Sequence, residues 1–393
     1  MTELRPLTSI RGLAAWFVVL YHIRQSIAGL PDGARAIFAK GYLAVDFFFL
    51  LSGFVIWLTW HDRLRAPRST AVFLRKRIAR IWPLHLVMLA AAVALALLLK
   101  ATGRPVPADY PFAELPLHLL LIQNWGFTHR LAWNDPSWSI SAEFAAYLLF
   151  PLLVRSVDWR RLPTLALLAI AAAILLLLHV AMAAPTLGTD IPRWGLLRCL
   201  TEFTTGTIVC ALWLRWRGGR WTPVVAAVGA ALLLAWTGGA PETLVVPAAF
   251  ACLLLVLALT SGAHAPRDPA ASPTPFVLSE VEAQLANKTL PVGTGALRLR
   301  SGRTVGGVWR NPLESHALHY LGEISYATYL GHFVLWTAFK LVFVTDANAV
   351  PPVLIALYLA LVLASSVALY HLVERPAQRS INALLTPSPH RSS

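Results

Sequence analysis

The chain has 393 residues, 57% of them hydrophobic and 13% charged, with a mean hydropathy of +0.62 and a formal net charge of +14. That leaves too little polar surface for an ordinary soluble globule. The positive charge alone would suit nucleic acid, but its placement follows membrane topology instead.

Crossing a hydrocarbon core of roughly 30 Å takes about 20 apolar residues. In lipid every backbone amide must be satisfied within its own segment, so each crossing is a helix. Stretches of this kind occur at 8–29, 41–60, 82–101, 137–155, 163–184, 194–214, 222–238, 243–261, 318–343 and 351–373. The predicted fold is an all-α integral membrane protein, a bundle of about ten transmembrane helices. With the N-terminus inside, 24 of the 33 Lys and Arg fall on cytoplasmic segments, which predicts an N-in/C-in chain.

The first stretch, SIRGLAAWFVVLYHI, carries Arg11 and His22. Eleven residues at 100° each make three turns plus about 20°, so both side chains leave one helix face, about 16 Å apart along the axis. No small-residue cleavage site follows and the charged start is long, so this is a retained span rather than a cleaved signal. The second stretch holds Asp46 in GYLAVDFFFLLSG. Before the third, FLRKRIARIWP supplies Arg75, Lys76, Arg77 and Arg80. These read as a positive-inside signal that also binds anionic lipid, or as a phosphate clamp, since guanidiniums grip phosphate bidentately.

The outer connection 102–136 contains an apolar run at 115–122 that is too short to cross. It suits a re-entrant or interfacial piece beside a substrate entrance, or a plain surface cap. The fourth stretch, WSISAEFAAYLLFP, holds Glu143 with Trp138, Ser139 and Ser141. Ser141 lies two residues from Glu143, on another helix face, so the serines read first as interhelical hydrogen-bonding groups. Cys199, Cys210 and Cys252 fall in apolar spans without metal-ligand or redox spacing and read as packing residues. No metal site is expected.

The long connection 262–317 begins rich in Pro, Ala and Ser and is expected to be a partly disordered cytoplasmic loop. Within it SEVEAQLANK suits a short helix and ALRLRSGRTVGGVW a hairpin. On the ninth stretch Ser325, Tyr329 and His332 follow i, i+4, i+7 and share one face. One membrane domain over 1–376 and a short flexible tail at 377–393 complete the organisation. There is no fixed-period repeat and no inverted pair of broken spans of the transporter kind.

Ionisable groups inside spans are costly and functional by default. Counted from the outer surface, Asp46 and Glu143 lie about 8–9 Å deep, His332 about 10 Å and His22 about 13–14 Å. Four unlinked spans thus bring their costly residues to one layer. An imidazole beside a carboxylate is a general-base unit, so His22 with Glu143 or Asp46 is a candidate for taking a proton from a hydroxyl.

In order along the chain, RGLAAWFVVLYH, GYLAVDFFFLLSGFVI, FLRKRIARIWPLHL, PSWSISAEFAAYLLFPLL, LGEISYATYLGH and YHLVERP resemble the membrane acyltransferase 3 family. The resemblance covers most of the chain. It implies an acyl-CoA-dependent O-acyltransferase that takes acetyl or another short acyl group from cytoplasmic acyl-CoA, a co-substrate rather than a bound cofactor. The acceptor is then a hydroxyl of an exported or lipid-linked envelope glycan, and the setting a bacterial inner membrane. His22 becomes the catalytic base or acyl relay, Glu143 its partner, and Arg11, with Arg77 and Arg80, a donor-side contact to CoA phosphates. Asp46, Trp138, Ser139, Ser141, Tyr329 and His332 become candidates for the substrate pocket. Ala142, Phe144 to Ala146, Gly331 and the length of 262–317 depart from the family pattern. A transporter or flippase using the same residues as a proton relay is the alternative; partners are lipid, acyl-CoA and the glycan, with no nucleic acid.

Overall fold

A computed structural model describes residues 4–261 and 312–383. Within them the chain is helical and forms no strand; the one bridge joins Ile27 to Val350. Among the described residues eight helices are long and apolar enough to cross a membrane. All ten expected segments are helical, but α9 (Thr222–Thr237) is short for a span and α12 (Ser325–Phe343) is not among the eight.

Helix α1 (Arg5–Ile23) stops short of the expected end at 29, because the chain turns at 24–30 and bonds to Val350 through Ser26 and Ala28. His22 therefore sits in the last turn of α1 rather than well inside it. A short α2 (Asp32–Phe38) leads to α3 (Ala44–Trp60), which is apolar on all sides and mostly buried, as a central helix must be.

Helix α4 (Ser69–Ala101) is 33 residues long and runs straight through Pro83. The basic run expected to precede the span is thus part of the helix. Proline removes one backbone bond and crowds the preceding turn; here Tyr326 Oη donates to Ile81 O in that turn at 2.6 Å. In the connection that follows, the run at 115–122 contributes only α5 (Leu115–Leu119), too short to cross.

Helices α8 (Ile191–Trp216) and α10 (Glu242–Ser261) pack on α3, α6 (Ser137–Ser156) and α7 (Thr164–Met182) pack on α8, and α9 lies against α10. The closest seam is α3 with α8. A Cβ on Gly53 would collide with Phe203 O, and one on Gly206 with Leu50 O, so the two backbones touch only because both residues are glycine. Large apolar side chains left exposed on α4, α7, α9 and α13 (Pro352–Leu369) face outward, as a lipid-bathed rim does.

The second half of the bundle is α11 (His316–Glu323), α12, α13, a π-helical turn at Tyr370–Glu374 and α14 (Arg375–Ala383). Helix α1 lies along α11 and α12. Helix α14 runs through the expected domain end at 376, so residues 377–383 are helix rather than tail. The helix and hairpin expected within 279–309 lie outside the described residues.

Candidate active site

At the Arg11 end, the bundle encloses a cavity of about 260 Å³. Arg11 from α1, Lys76, Arg77 and Arg80 from α4 and Arg375 from α14 line it, against Glu143 and Glu323. The continuation of α4 below Pro83 is what brings Arg77 and Arg80 to this wall. Arg80 is taken by an ion pair with the buried Glu374 and lies 5.4 Å from the ring centre of Tyr326. Arg11 is half-buried and has no hydrogen bond or ion pair among the described residues, although Glu143 lies within electrostatic reach.

Glu143 Oε1 accepts from Ser52 Oγ on α3 and from Tyr147 Oη, one turn along α6, at 2.5 Å. Further in, Ser139 Oγ and Tyr329 Oη meet at 2.7 Å and join α6 to α12, with Pro136 O 3.0 and 3.1 Å away as the acceptor for whichever hydroxyl does not donate across the pair. These two residues mark the inner limit of the cavity among the groups of interest. One turn beyond, the His332 ring centre is 6.3 Å from that of Tyr329. His332 Nε2 in turn lies 3.1 Å from His22 Nδ1. His22 is half-buried between the rings of Tyr21 and Phe333, at 5.0 and 5.4 Å.

The four residues expected in one layer thus occupy three places. His22 and His332 form a pair. Glu143 lies toward Arg11, about two helical turns or roughly 10 Å below that pair. Among the described residues His22 bonds only Val18 O and His332, so neither Glu143 nor Asp46 is its hydrogen-bonding partner. The cause is where α6 begins: Asn134 Nδ2 donates to Leu330 O at 2.9 Å and Ser139 meets Tyr329, so α6 starts level with the middle of α12 and Glu143 falls a further turn toward Arg11.

Asp46 is fully buried, and its Oδ1 accepts from Arg198 Nε at 3.1 Å and Nη2 at 2.7 Å. Arg198 in turn lies 5.2 Å from the ring centre of Trp138, which packs edge-on against Phe49. Asp46 and Trp138 therefore sit in the α3–α6–α8 interior and do not line the cavity, contrary to their expected place in a substrate pocket. Ser141 does not line it either. Its Oγ accepts from Asn124 N at 3.1 Å and its carbonyl from Trp125 Nε1 at 2.9 Å, which pins the 102–136 connection to α6. Sequence reasoning missed Arg198 and assigned no role to Ser52 and Tyr147, which lie in the stretches that carry the family resemblance. The need of a buried Asp46 for a counter-charge was the available signal for Arg198.

Among the described residues no cluster of His, Cys, Asp and Glu is placed to hold a metal ion. The arrangement offers a cationic cavity mouth, a polar path along α1, α6 and α12, and an imidazole pair at its far end. Such a set can bind an anionic donor and take a proton from a hydroxyl.

Comparison with known proteins gives the family. The acyltransferase-domain family model (acyltransferase 3) matches residues 7–371. The acyltransferase MdmB of Streptomyces mycarofaciens is 35% identical over 361 residues, which cover 85% of this chain and 79% of that protein. A Rhizobium radiobacter protein named "Protein 2 in picA locus" is 39% identical over 104 residues, covering 26% of this chain and 51% of its own length. No solved structure gives a significant match. The family match takes in Arg11, Glu143, His22 and His332 together, and this multi-pass membrane chain belongs to the acyltransferase 3 family.

Proposed function

We propose that the protein is an O-acyltransferase of the bacterial inner membrane, moving acetyl or another short acyl group from cytoplasmic acyl-CoA to a hydroxyl of an exported or lipid-linked envelope glycan. One observation carries the reading. The cavity opens among Arg11, Arg77 and Arg80 and leads to Ser139 and Tyr329, one turn from the His22–His332 pair. The axial distance from Arg11 to His22, about 16 Å, suits a donor whose phosphates stay at the mouth while its pantetheine arm reaches inward.

In this reading His22 is the catalytic base. The acceptor O–H gives its proton to the imidazole as its oxygen bonds the thioester carbonyl carbon. The C–S bond then breaks and the thiolate takes the proton, leaving an ester and CoA-SH. Arg11 and Arg77 hold donor phosphates. Glu143, held by Ser52 and Tyr147, faces the donor path and offers an acceptor to the amide N–H groups of the arm. Placing the Arg11 end in the cytoplasm follows from the distribution of Lys and Arg.

The test is transfer of labelled acyl from acyl-CoA to envelope glycan in membranes holding wild-type protein or His22→Ala. The variant is expected to assemble normally and to transfer nothing. Full transfer by His22→Ala, or glycan whose acylation is the same with and without the protein, overturns the reading.

A further inference from the structure

The contact between His22 and His332 carries information about protons. A carbonyl oxygen only accepts hydrogen bonds. The contacts of His22 Nδ1 with Val18 O at 2.9 Å and of His332 Nδ1 with Thr328 O at 3.1 Å therefore place an N–H on Nδ1 of each ring. In a neutral imidazole the other nitrogen then bears the lone pair. His332 Nε2 is thus an acceptor, 3.1 Å from His22 Nδ1, and the single N–H of His22 is shared between Val18 O and His332. His22 Nε2 keeps its lone pair, with no bonded group among the described residues.

Resting on the reading of His22 as the base, we propose that His332 is a positioning residue that, together with Val18 O, holds His22 as the Nδ1–H tautomer and aims Nε2 as the nitrogen that takes the acceptor's proton. His332 suits the task because it is itself immobile. It is 1% exposed, tied to Thr328 on its own helix, and its carbonyl accepts from Tyr358 Oη on α13 at 2.9 Å. Its burial also keeps it from being the base.

The proton balance is simple. The acceptor proton moves to His22 Nε2 and leaves from there to the CoA thiolate, while the Nδ1 proton stays throughout. During the imidazolium stage the Nδ1–H bond to His332 becomes charge-assisted and strengthens. A carboxylate in that position would give the same orientation with a stronger pull, as in Ser-His-Asp sites. The neutral imidazole leaves His22 a weaker base that returns its proton more readily.

The experiment compares His332→Gln, whose amide oxygen still accepts from His22 Nδ1, with His332→Leu, which accepts nothing. Acyl transfer kinetics and thermal unfolding are measured on each full-length variant in the same lipid or detergent. The expected result is a fall in kcat of about 100-fold for His332→Leu with KM for acyl-CoA nearly unchanged, and recovery to within about 10-fold of wild type for His332→Gln. Should His332→Leu not fold, His332→Phe keeps a flat ring without the acceptor and takes its place. Equal losses in folded Gln and Leu variants overturn the proposal, as does wild-type kcat in both. An active His22→Ala points instead to failure of the base assignment itself.

Discussion

Arg198 forms two hydrogen bonds to one oxygen of Asp46, with both side chains fully buried between α3 and α8. The fork of the guanidinium ties the helices on which the cavity wall and the close glycine seam depend. Glu202, one turn along α8, is also fully buried and within electrostatic reach of both. Breaking such a pair leaves an uncompensated buried group, at a cost of about 3–5 kcal/mol. Arg198→Met, which leaves the buried Asp46 carboxylate without its counter-charge, is expected to lower the unfolding midpoint more than Asp46→Asn, after which Arg198 still faces Glu202. The ranking is read from thermal unfolding in one detergent; the opposite order removes Glu202 from the explanation.

Gly322 on α11 meets the backbone of α1 so closely that a Cβ there would collide with Thr8 O. Gly12 faces Leu321 and Gly322 in the same crossing. Because α1 carries His22 and α11 leads directly into α12 with His332, this crossing sets the spacing of the imidazole pair. Gly322→Ala forces the helices apart and is expected to cost about 1–3 kcal/mol in stability by overpacking. Acyl transfer should fall further than the folded fraction does. Activity per folded molecule equal to wild type would separate the crossing from the pair.

Asp135, in the connection before α6, has its carboxyl raised to about 6, first by burial and then by the nearby Asp109. A carboxyl whose folded value lies above its unfolded one favours the folded state when protonated. Its contribution is full below about pH 4 and is lost as pH rises toward about 6. Asp135→Asn removes that loss. The variant's unfolding midpoint should match wild type near pH 4 and exceed it at pH 7. Equal differences at both pH values would show that the change is one of packing.

Much of this architecture was legible because the bilayer permits few solutions. All ten apolar stretches are helices, and the 115–122 run does not cross. Helix ends were less legible. After Arg24, Gln25 and Ser26 the stretch IAGL is apolar again and extends the expected span to 29, whereas the bonds of Ser26 and Ala28 with Val350 show that α1 has already stopped. The third apolar stretch was expected to begin at 82, yet α4 starts at Ser69 and turns a basic flank into part of the cavity wall. Counting depth identified residues at similar levels but not which helices are neighbours. His22 and His332 are 310 residues apart and meet, whereas Glu143, at nearly the same counted depth, faces another space. Asp46 drew attention as a buried charge, but its partner Arg198 was hidden in an ordinary-looking span.

Arg11 and Arg80 line one cavity but differ in what already holds them. Arg80 is paired with Glu374, which is 1% exposed, so Arg80→Ala leaves a buried carboxylate alone and should act chiefly on stability. Arg11 has no hydrogen bond or ion pair among the described residues, so its guanidinium is available to an incoming phosphate. Hydrogen bonds to charged groups contribute about 1.5–3 kcal/mol, and each 1.4 kcal/mol is tenfold in affinity. Arg11→Ala should therefore raise KM for acyl-CoA by about 10- to 100-fold, with the acceptor KM nearly unchanged. Arg11→Lys should recover part of the loss, since it keeps the charge without the planar fork. The decisive comparison uses acyl-pantetheine, which carries the thioester but no phosphate. With that donor wild type and Arg11→Ala should perform alike, because the contact that distinguishes them has been removed from the substrate. An undiminished defect with acyl-pantetheine would place the action of Arg11 on the path of the acyl group instead of at the phosphates.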